Sequence, residues 1–481
     1  MLYQVVQQHL QTLFAEAEAR SEHGGGYPAH VKREFARYLS CGQLAGGFTR
    51  LACRSCGQER LVPFSCKGRS VCPSCVARRM ADTALHLTEH VMPDVPYRQW
   101  TLSLPYAVRL QVVSEPQALS DVVSIYLRCI FAWQRHRARR AGVHKPHCGS
   151  VTLLQLWGST LQLTPHAHAW VPDGVFAPQA DGTLRFVALP PPEDADIELL
   201  VRRIGRRILK RLCADEATEV DDEAMVEQRA EAVTLPIPAA VRSELTPDKP
   251  LCVAVDGFSL HADLVAPQHD EKTLQRLLRY GLRPPLSQKR LSWTADGKVR
   301  LALRKPSATG RTHIVFEPVE FLRRLAAAIP RPRQNLIRFH GCFAANHKRR
   351  PEVVALAPAA KRAPQSAAPG TPEAAGLTGA THSLDPTGLN TDCAGSVPRP
   401  YRRRWAELLK HIFDHDVLIC DRCTGRMVPV QTVDSPAVIQ RILTHLGLPS
   451  TLPQPASARA PPQQTAWEFE SDSGDAFNHV G

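Results

Sequence analysis

A chain of 481 residues with 43% hydrophobic side chains has room for two or three domains with real cores. Its net charge of +13 and pI near 9.2 favour a polyanionic partner, nucleic acid before a membrane surface. No uninterrupted apolar run reaches the ~18 residues a spanning helix needs, and the opening residues lack a signal-peptide cleavage site, so secretion and membrane insertion are not expected.

Residues 1–40 read as helical and lead into a cysteine-rich module over 41–95, which closes in a helix beginning near residue 77. Here Cys53-x2-Cys56 and Cys72-x2-Cys75 stand at the spacing of a four-cysteine zinc ribbon, in which two knuckles close a tetrahedron. The closed sulfur set predicts structural Zn²⁺ rather than a catalytic site. Cys41 and Cys66 are spare candidates, with Cys66 able to replace one of the four. Lys67 and Arg69, with Arg54, Arg78 and Arg79, surround the module and are read as contacts to DNA backbone.

An α/β region follows over 96–357. Strand character at 97–105 precedes a long helix over 120–140 that ends in Arg135, Arg137, Arg139 and Arg140. Two strand-like runs occupy 151–176, and the second carries His166 and His168. Strand side chains alternate, so both imidazoles face one side, where they can hold a divalent cation and leave positions open for a phosphate. Gln155, on the preceding run, is the candidate third ligand and Asp173 a weaker one. Mg²⁺ or Mn²⁺ suits the polarising of a phosphodiester oxygen, although imidazole also accepts Zn²⁺.

The stretch 197–217 is an amphipathic helix with arginines opposite its apolar stripe, followed by an acidic insert over 219–232. A strand over 251–265 leads to a short helix over 271–280 that ends in Tyr280. Leu274, Leu277 and Leu278 form its apolar stripe, and Tyr280 lies off it, sharing a face with Arg276. Arg279 and Arg283 are close by. A phenol with a pKa near 10 needs such cations, or a polarised phosphate, to act as a nucleophile at neutral pH. Two strands, over 298–305 and 312–318, and a helix over 318–330 complete the region, whose end carries Lys348, Arg349 and Arg350.

Residues 358–400 are rich in Pro, Ala, Gly, Ser and Thr and read as a linker. A small module over 401–449 holds a third pair, Cys420-x2-Cys423, which binds metal only with distant ligands, His411 and His415 among them, or with another subunit. The tail over 450–481 reads as disordered. Paired cysteines favour metal in a reducing cytoplasm over a disulfide framework.

Several long motifs resemble the bacterial transposases of the insertion sequence ninety-one family: LQLWGSTLQLTPHAHAWVPDGVF, GFSLHA, RYGLRPPLSQKRL and PVEFLRRLAAAIPRPRQNLIRFHG, with SCKGRSVCPSCVARRM and VPYRQWTLSLP before them and WAELLKHIFDHDVLICDRC after. The resemblance implies an α+β fold: an HUH endonuclease core, an antiparallel sheet flanked by helices, with an N-terminal four-cysteine zinc module and a C-terminal CxxC module. It implies His166 and His168 as metal ligands and Tyr280 as nucleophile, in rolling-circle transposition through single-stranded DNA and a 5′-phosphotyrosine. Members with two catalytic tyrosines space them four apart, whereas this chain has Arg276 at that position and is similar to the single-tyrosine branch. Resolving the intermediate then calls for a second subunit of a homo-oligomer, or for free 3′-hydroxyl chemistry. The rival readings are a replication initiator with the same chemistry and a zinc-ribbon protein that binds DNA without cutting. A relaxase is disfavoured, because its tyrosine precedes the histidines. The cytoplasm, on the nucleoid when DNA-bound, is the expected location.

Overall fold

The computed structural model describes residues 1–21, 25–212, 249–306, 310–358, 406–407, 410 and 416–459. The acidic insert over 219–232, most of the linker, Arg402–Arg404, His411 and His415 lie outside the described residues.

The centre is an antiparallel sheet of seven strands in the order β14-β4-β5-β3-β9-β8, with β10 paired to β3. Its long members are β3 (Tyr97–Ser103), β4 (Gly149–Trp157) and β5 (Leu163–Pro172). The rest are β8 (Cys252–Val255), β9 (Phe258–His261), β10 (Val265–Ala266) and β14 (Ile337–Gly341). The single strand expected over 251–265 is instead a hairpin, because Asp256 and Gly257 both take positive φ, 52° and 77°. Two successive left-handed residues make the turn that joins antiparallel strands tightly, and an Asp-Gly pair favours it.

Period-two alternation gives this sheet two different faces. One face presents Trp100, Leu102, Leu154, Ala167, Ala169 and Leu260 to helices α5 (Pro116–Arg140) and α6 (Asp194–Leu212), burying the largest core of the molecule. The other presents Val151, Leu153 and Trp170 to α3 (Pro73–His90) and α7 (Glu271–Gly281), through Ala84, Leu87, Leu274 and Leu278. The histidines of β5 alternate with Ala167 and Ala169, so they lie on this second face.

Helices α1 (Leu2–Arg20) and α2 (Ala29–Ser40) pack into the body of the molecule. Their apolar positions share one core with Val299, Leu301, Phe316 and Phe321, from the small sheet β11-β12-β13 (Leu291–Trp293, Val299–Ala302, His313–Phe316) and α8 (Pro318–Ala327). The Arg323–Glu16 ion pair at 3.1 Å crosses the same contact. The division at residue 40 is therefore a sequence boundary that packing ignores.

The division at 401 fares likewise. Strand β15 (Met427–Val433) pairs with β1 (Phe48–Cys53), which pairs with β2 (Glu59–Pro63), so the C-terminal module completes the sheet of the N-terminal one. Part of the supposed tail is also placed against the body, with the Ala456 amide donating to the Gln7 carbonyl at 2.8 Å and that of Arg459 to Thr12 Oγ1 at 3.0 Å. Among the described residues no helix is long and apolar enough to cross a membrane.

Candidate functional site

Gln155 and His166 are direct cross-strand partners on β4 and β5, and His168 stands two residues further along. Cross-strand partners share a face, so the three side chains converge. The two imidazoles are 4.9 Å apart between ring centres. His166 Nδ1 lies 2.7 Å from the Thr164 carbonyl, which makes Nδ1 the protonated nitrogen and leaves a lone pair on Nε2. That lone pair faces Gln155 Oε1 at 3.0 Å.

The Gln155 amide cannot turn to offer a proton instead. Its nitrogen already donates to the carbonyls of Gly281 at 2.6 Å and Tyr280 at 3.2 Å. In this tautomer two acceptors face one another across a hydrogen-bond distance, an arrangement that a proton or a cation would satisfy. A proton is disfavoured: burial holds His166 down to about 4, with the Arg283 and Arg109 charges working in the same direction and the Thr164 carbonyl opposing them. A cation fits.

His168 completes the set. Its Nδ1 lies 2.7 Å from Gln99 Nε2 and 3.1 Å from Thr101 Oγ1, while its Nε2 and Gln99 Oε1 are buried without partners. Turning the Gln99 amide by half a turn lets Oε1 accept from Nδ1–H and leaves the Nε2 lone pair for a cation. Burial, then His166, Arg283 and His261, hold His168 well below its usual pKa, which favours the neutral imidazole that metal binding requires. Gln99 and Thr101 were not singled out from the sequence. The signal was there: Gln99, Thr101 and Ser103 are alternate polar positions of the strand, interleaved with Trp100 and Leu102.

Tyr280 sits near the end of α7, the helix laid on the imidazole face. Asp270 caps the helix by accepting from the Thr273 amide at 2.9 Å, and Leu274 and Leu278 are buried, with Leu277 packed at their edge. Gly281 lets the helix approach closely, since a Cβ there would come within 2.7 Å of Leu153 Cδ1. Tyr280 is 49% exposed, so a nucleic acid can reach it. The Arg283 guanidinium lies 4.0 Å from the ring centre and that of Arg304 5.9 Å. Burial pushes the phenol up, but a hydrogen bond with Arg283 and the charges of Arg283, Arg304 and Lys305 outweigh it, leaving its pKa below 10.0. Arg304 and Lys305 were missed in sequence because they lie just past β12, in a segment that only the fold brings beside Tyr280.

The other expected residues are placed differently. Asp173 is at the far end of β5 from His166, and its carboxylate is held by Arg98 at 2.9 and 2.8 Å, so it is no third ligand. Arg276 is exposed on α7, Arg279 and Arg283 are half-buried, and Arg279 Nε and Arg283 Nη1 have no hydrogen-bond partner. Arg69 is tied internally: its side chain donates to the Gln334 carbonyl at 2.6 Å and its amide to Glu34 at 2.6 Å. Lys67 takes a positive φ of 52°, and its carbonyl accepts from Arg79 at 2.8 Å.

The cysteines are partitioned otherwise than their spacing suggested. Cys53, Cys56, Cys72 and Cys75 do not form one site. Cys72 and Cys75 join Cys41 and Cys66, with sulfurs 3.7 Å apart for Cys41–Cys72 and Cys41–Cys75 and 3.4 Å for Cys66–Cys75. A zinc–sulfur bond of about 2.3 Å places ligand sulfurs about 3.8 Å apart in a tetrahedron, so this set fits Zn²⁺. Glu34 steadies the intervening loop by accepting from the amides of Arg69 and Ser70. Cys53 and Cys56 instead meet Cys420 and Cys423.

Comparison with known proteins relates the chain to transposases. Residues 6–104 match the family described as "Transposase zinc-binding domain", whose model carries the insertion sequence ninety-one designation, and residues 149–351 match the family described as "Putative transposase". The chain belongs to the insertion sequence ninety-one transposases. The "Putative transposase y4qJ" of Sinorhizobium fredii (strain NBRC 101917 / NGR234) is 25% identical over 295 residues, covering 60% of this chain and 68% of that protein. No solved structure matches the chain. In this transposase the second match spans β4, β5, α7 and β14, and so contains Gln155, His166, His168 and Tyr280 together.

Proposed function

We propose that this transposase nicks and rejoins single-stranded DNA by an HUH mechanism, with His166, His168 and Gln155 holding Mg²⁺ or Mn²⁺ and Tyr280 as the nucleophile. The facing lone pairs of His166 Nε2 and Gln155 Oε1, on the same glutamine that grips the Tyr280 helix, carry this reading. When bound, the cation would polarise a phosphodiester oxygen and offset the charge that builds on it.

The chain's own residues do the rest. Tyr280 Oη attacks the phosphorus as its proton leaves to solvent, and the bond to the 3′-oxygen breaks. The phosphate stays on the tyrosine as a 5′-phosphotyrosine, and the 3′-hydroxyl is released. Arg283, with Arg276, Arg279, Arg304 and Lys305, holds the phosphates and lowers the cost of forming phenolate. Reversal on another strand's 3′-hydroxyl completes transfer. Because Arg276 stands four residues before Tyr280, one subunit makes one covalent link at a time. A second subunit or a free 3′-hydroxyl then resolves the intermediate.

The test is a labelled single strand carrying a verified element end, incubated with the transposase and Mn²⁺. A covalent adduct is expected with wild type and none with Tyr280→Phe, whose DNA affinity stays nearly intact. Equal adduct from that variant would move the nucleophile elsewhere. No adduct from wild type would favour a protein that binds DNA without cutting.

A further inference from the structure

The second cysteine cluster joins segments from opposite ends of the chain. Cys53 Sγ lies 3.5 Å from Cys423 Sγ, and Cys56 Sγ lies 3.7 Å from Cys420 Sγ, a pair 364 positions apart in sequence. All four sulfurs lie within 4.8 Å of one another, again close to the about 3.8 Å edge of a zinc–sulfur tetrahedron.

The two contributing turns have the same construction. In the first, the Gly57 amide donates to the Cys53 carbonyl at 3.0 Å and the Cys53 amide to the Gln58 carbonyl at 2.8 Å. In the second, the Thr424 amide donates to the Cys420 carbonyl at 2.9 Å and the Cys420 amide to the Gly425 carbonyl at 2.9 Å. The residue after each second cysteine takes a positive φ, 71° at Gly57 and 57° at Thr424. Two equivalent knuckles facing one another, each with two thiols inward, make a tetrahedral set with no position left over. The "Transposase zinc-binding domain" match ends at residue 104 and contains only half of this set.

Beyond the cluster, the C-terminal module is joined to the N-terminal sheet by the β1–β15 ladder, the Arg60–Asp421 ion pair and two small apolar clusters. Among the described residues, Leu51, Cys53, Cys420 and Met427 are buried together around the cluster, and Phe48, Val433, Ile439 and Leu443 beside it. The β1–β15 ladder is interrupted by a register shift at Arg50/Leu51. Cores this small depend on a staple.

We propose that Cys53, Cys56, Cys420 and Cys423 form a second zinc site, which latches the C-terminal module to the N-terminal sheet. The latch ties residues 53–56 to residues 420–423 directly, so the last module stays in place whether or not the backbone between them is intact.

The full chain should carry two zinc ions by elemental analysis. C420S/C423S and C53S/C56S should each carry one, and C72S should lose the other. A specific protease site inserted within 359–405 gives the mechanical readout. After cutting, the C-terminal fragment should co-elute with the rest in the wild-type background and separate in both double variants. The retained zinc and a cooperative melt show that those variants still fold. Two zinc ions in C420S/C423S, one in the wild type, or a fragment that stays bound in both double variants would overturn the latch.

Discussion

Gln155 on the sheet and Gly281 at the end of α7 are joined by a 2.6 Å hydrogen bond from the glutamine amide to the glycine carbonyl. The oxygen of the same amide faces His166 at 3.0 Å. One side chain therefore registers the helix that carries the phenol against the nitrogen proposed to bind the cation. Gln155→Ala should lower both Mn²⁺ affinity and the rate of adduct formation, whereas Gln155→Glu keeps a ligand oxygen but loses the donor to Gly281. If adduct yield from Gln155→Ala equals wild type, neither role is required.

Behind His168, Gln99 orients the imidazole from β3. Partners of this kind typically change metal affinity by about 10–100-fold when removed. Gln99→Leu, of similar volume, should weaken Mn²⁺ by that factor in calorimetric titration while the thermal melt moves little. An unchanged affinity would show that Thr101 orients the ring unaided.

Arginines around Tyr280 favour its charged form, which is the anion, so removing one must raise the pKa. Arg283→Met should shift the rising limb of the adduct-formation pH profile to higher pH, towards the free phenol value of about 10. The profile of a single-turnover reaction in Mn²⁺ reads this directly. A profile that does not move would assign Arg283 to phosphate binding alone.

Close packing at Gly281 sets a steric limit. A Cβ would lie 2.7 Å from Leu153 Cδ1, the movable end of a side chain, so Gly281→Ala offsets helix propensity against a small shift. Gly281→Val has no such latitude and should cost about 1–3 kcal/mol by overpacking. It should also slow adduct formation more than Gly281→Ala, because α7 is pushed off the imidazole face. Equal denaturant midpoints for wild type and Gly281→Val would contradict this packing.

Metal-free protein should lose stability as pH falls from about 6.5 towards 4. His166 and His340 are each held down to about 4, mainly by burial, so they stay neutral in the folded state while unfolded chains take up protons near 6.5. The unfolded state then binds more protons, and stability rises with pH across that window. His340→Gln should flatten the dependence of melting temperature on pH; an unchanged slope would leave it to other groups.

Much of the site is legible in sequence because it depends on local geometry. Alternation on one strand puts His166 and His168 on one side, a 3.6-residue period sets Tyr280 off the buried stripe of α7, and a short run on the previous strand presents Gln155. What the chain could not show is which separate segments meet. A CxxC knuckle has the same local form whatever its partner, so spacing alone paired Cys53 and Cys56 with Cys72 and Cys75. The strand pairing of β1 with β15 sends them to Cys420 and Cys423, and the loop before α3 brings Cys41 and Cys66 to the other pair. Asp173 was a plausible ligand by proximity in sequence, yet a strand carries it to the far end, where Arg98 claims its carboxylate. Residue identity and period determined the chemistry each segment can offer; contacts between segments far apart in the chain decided which of those offers coincide.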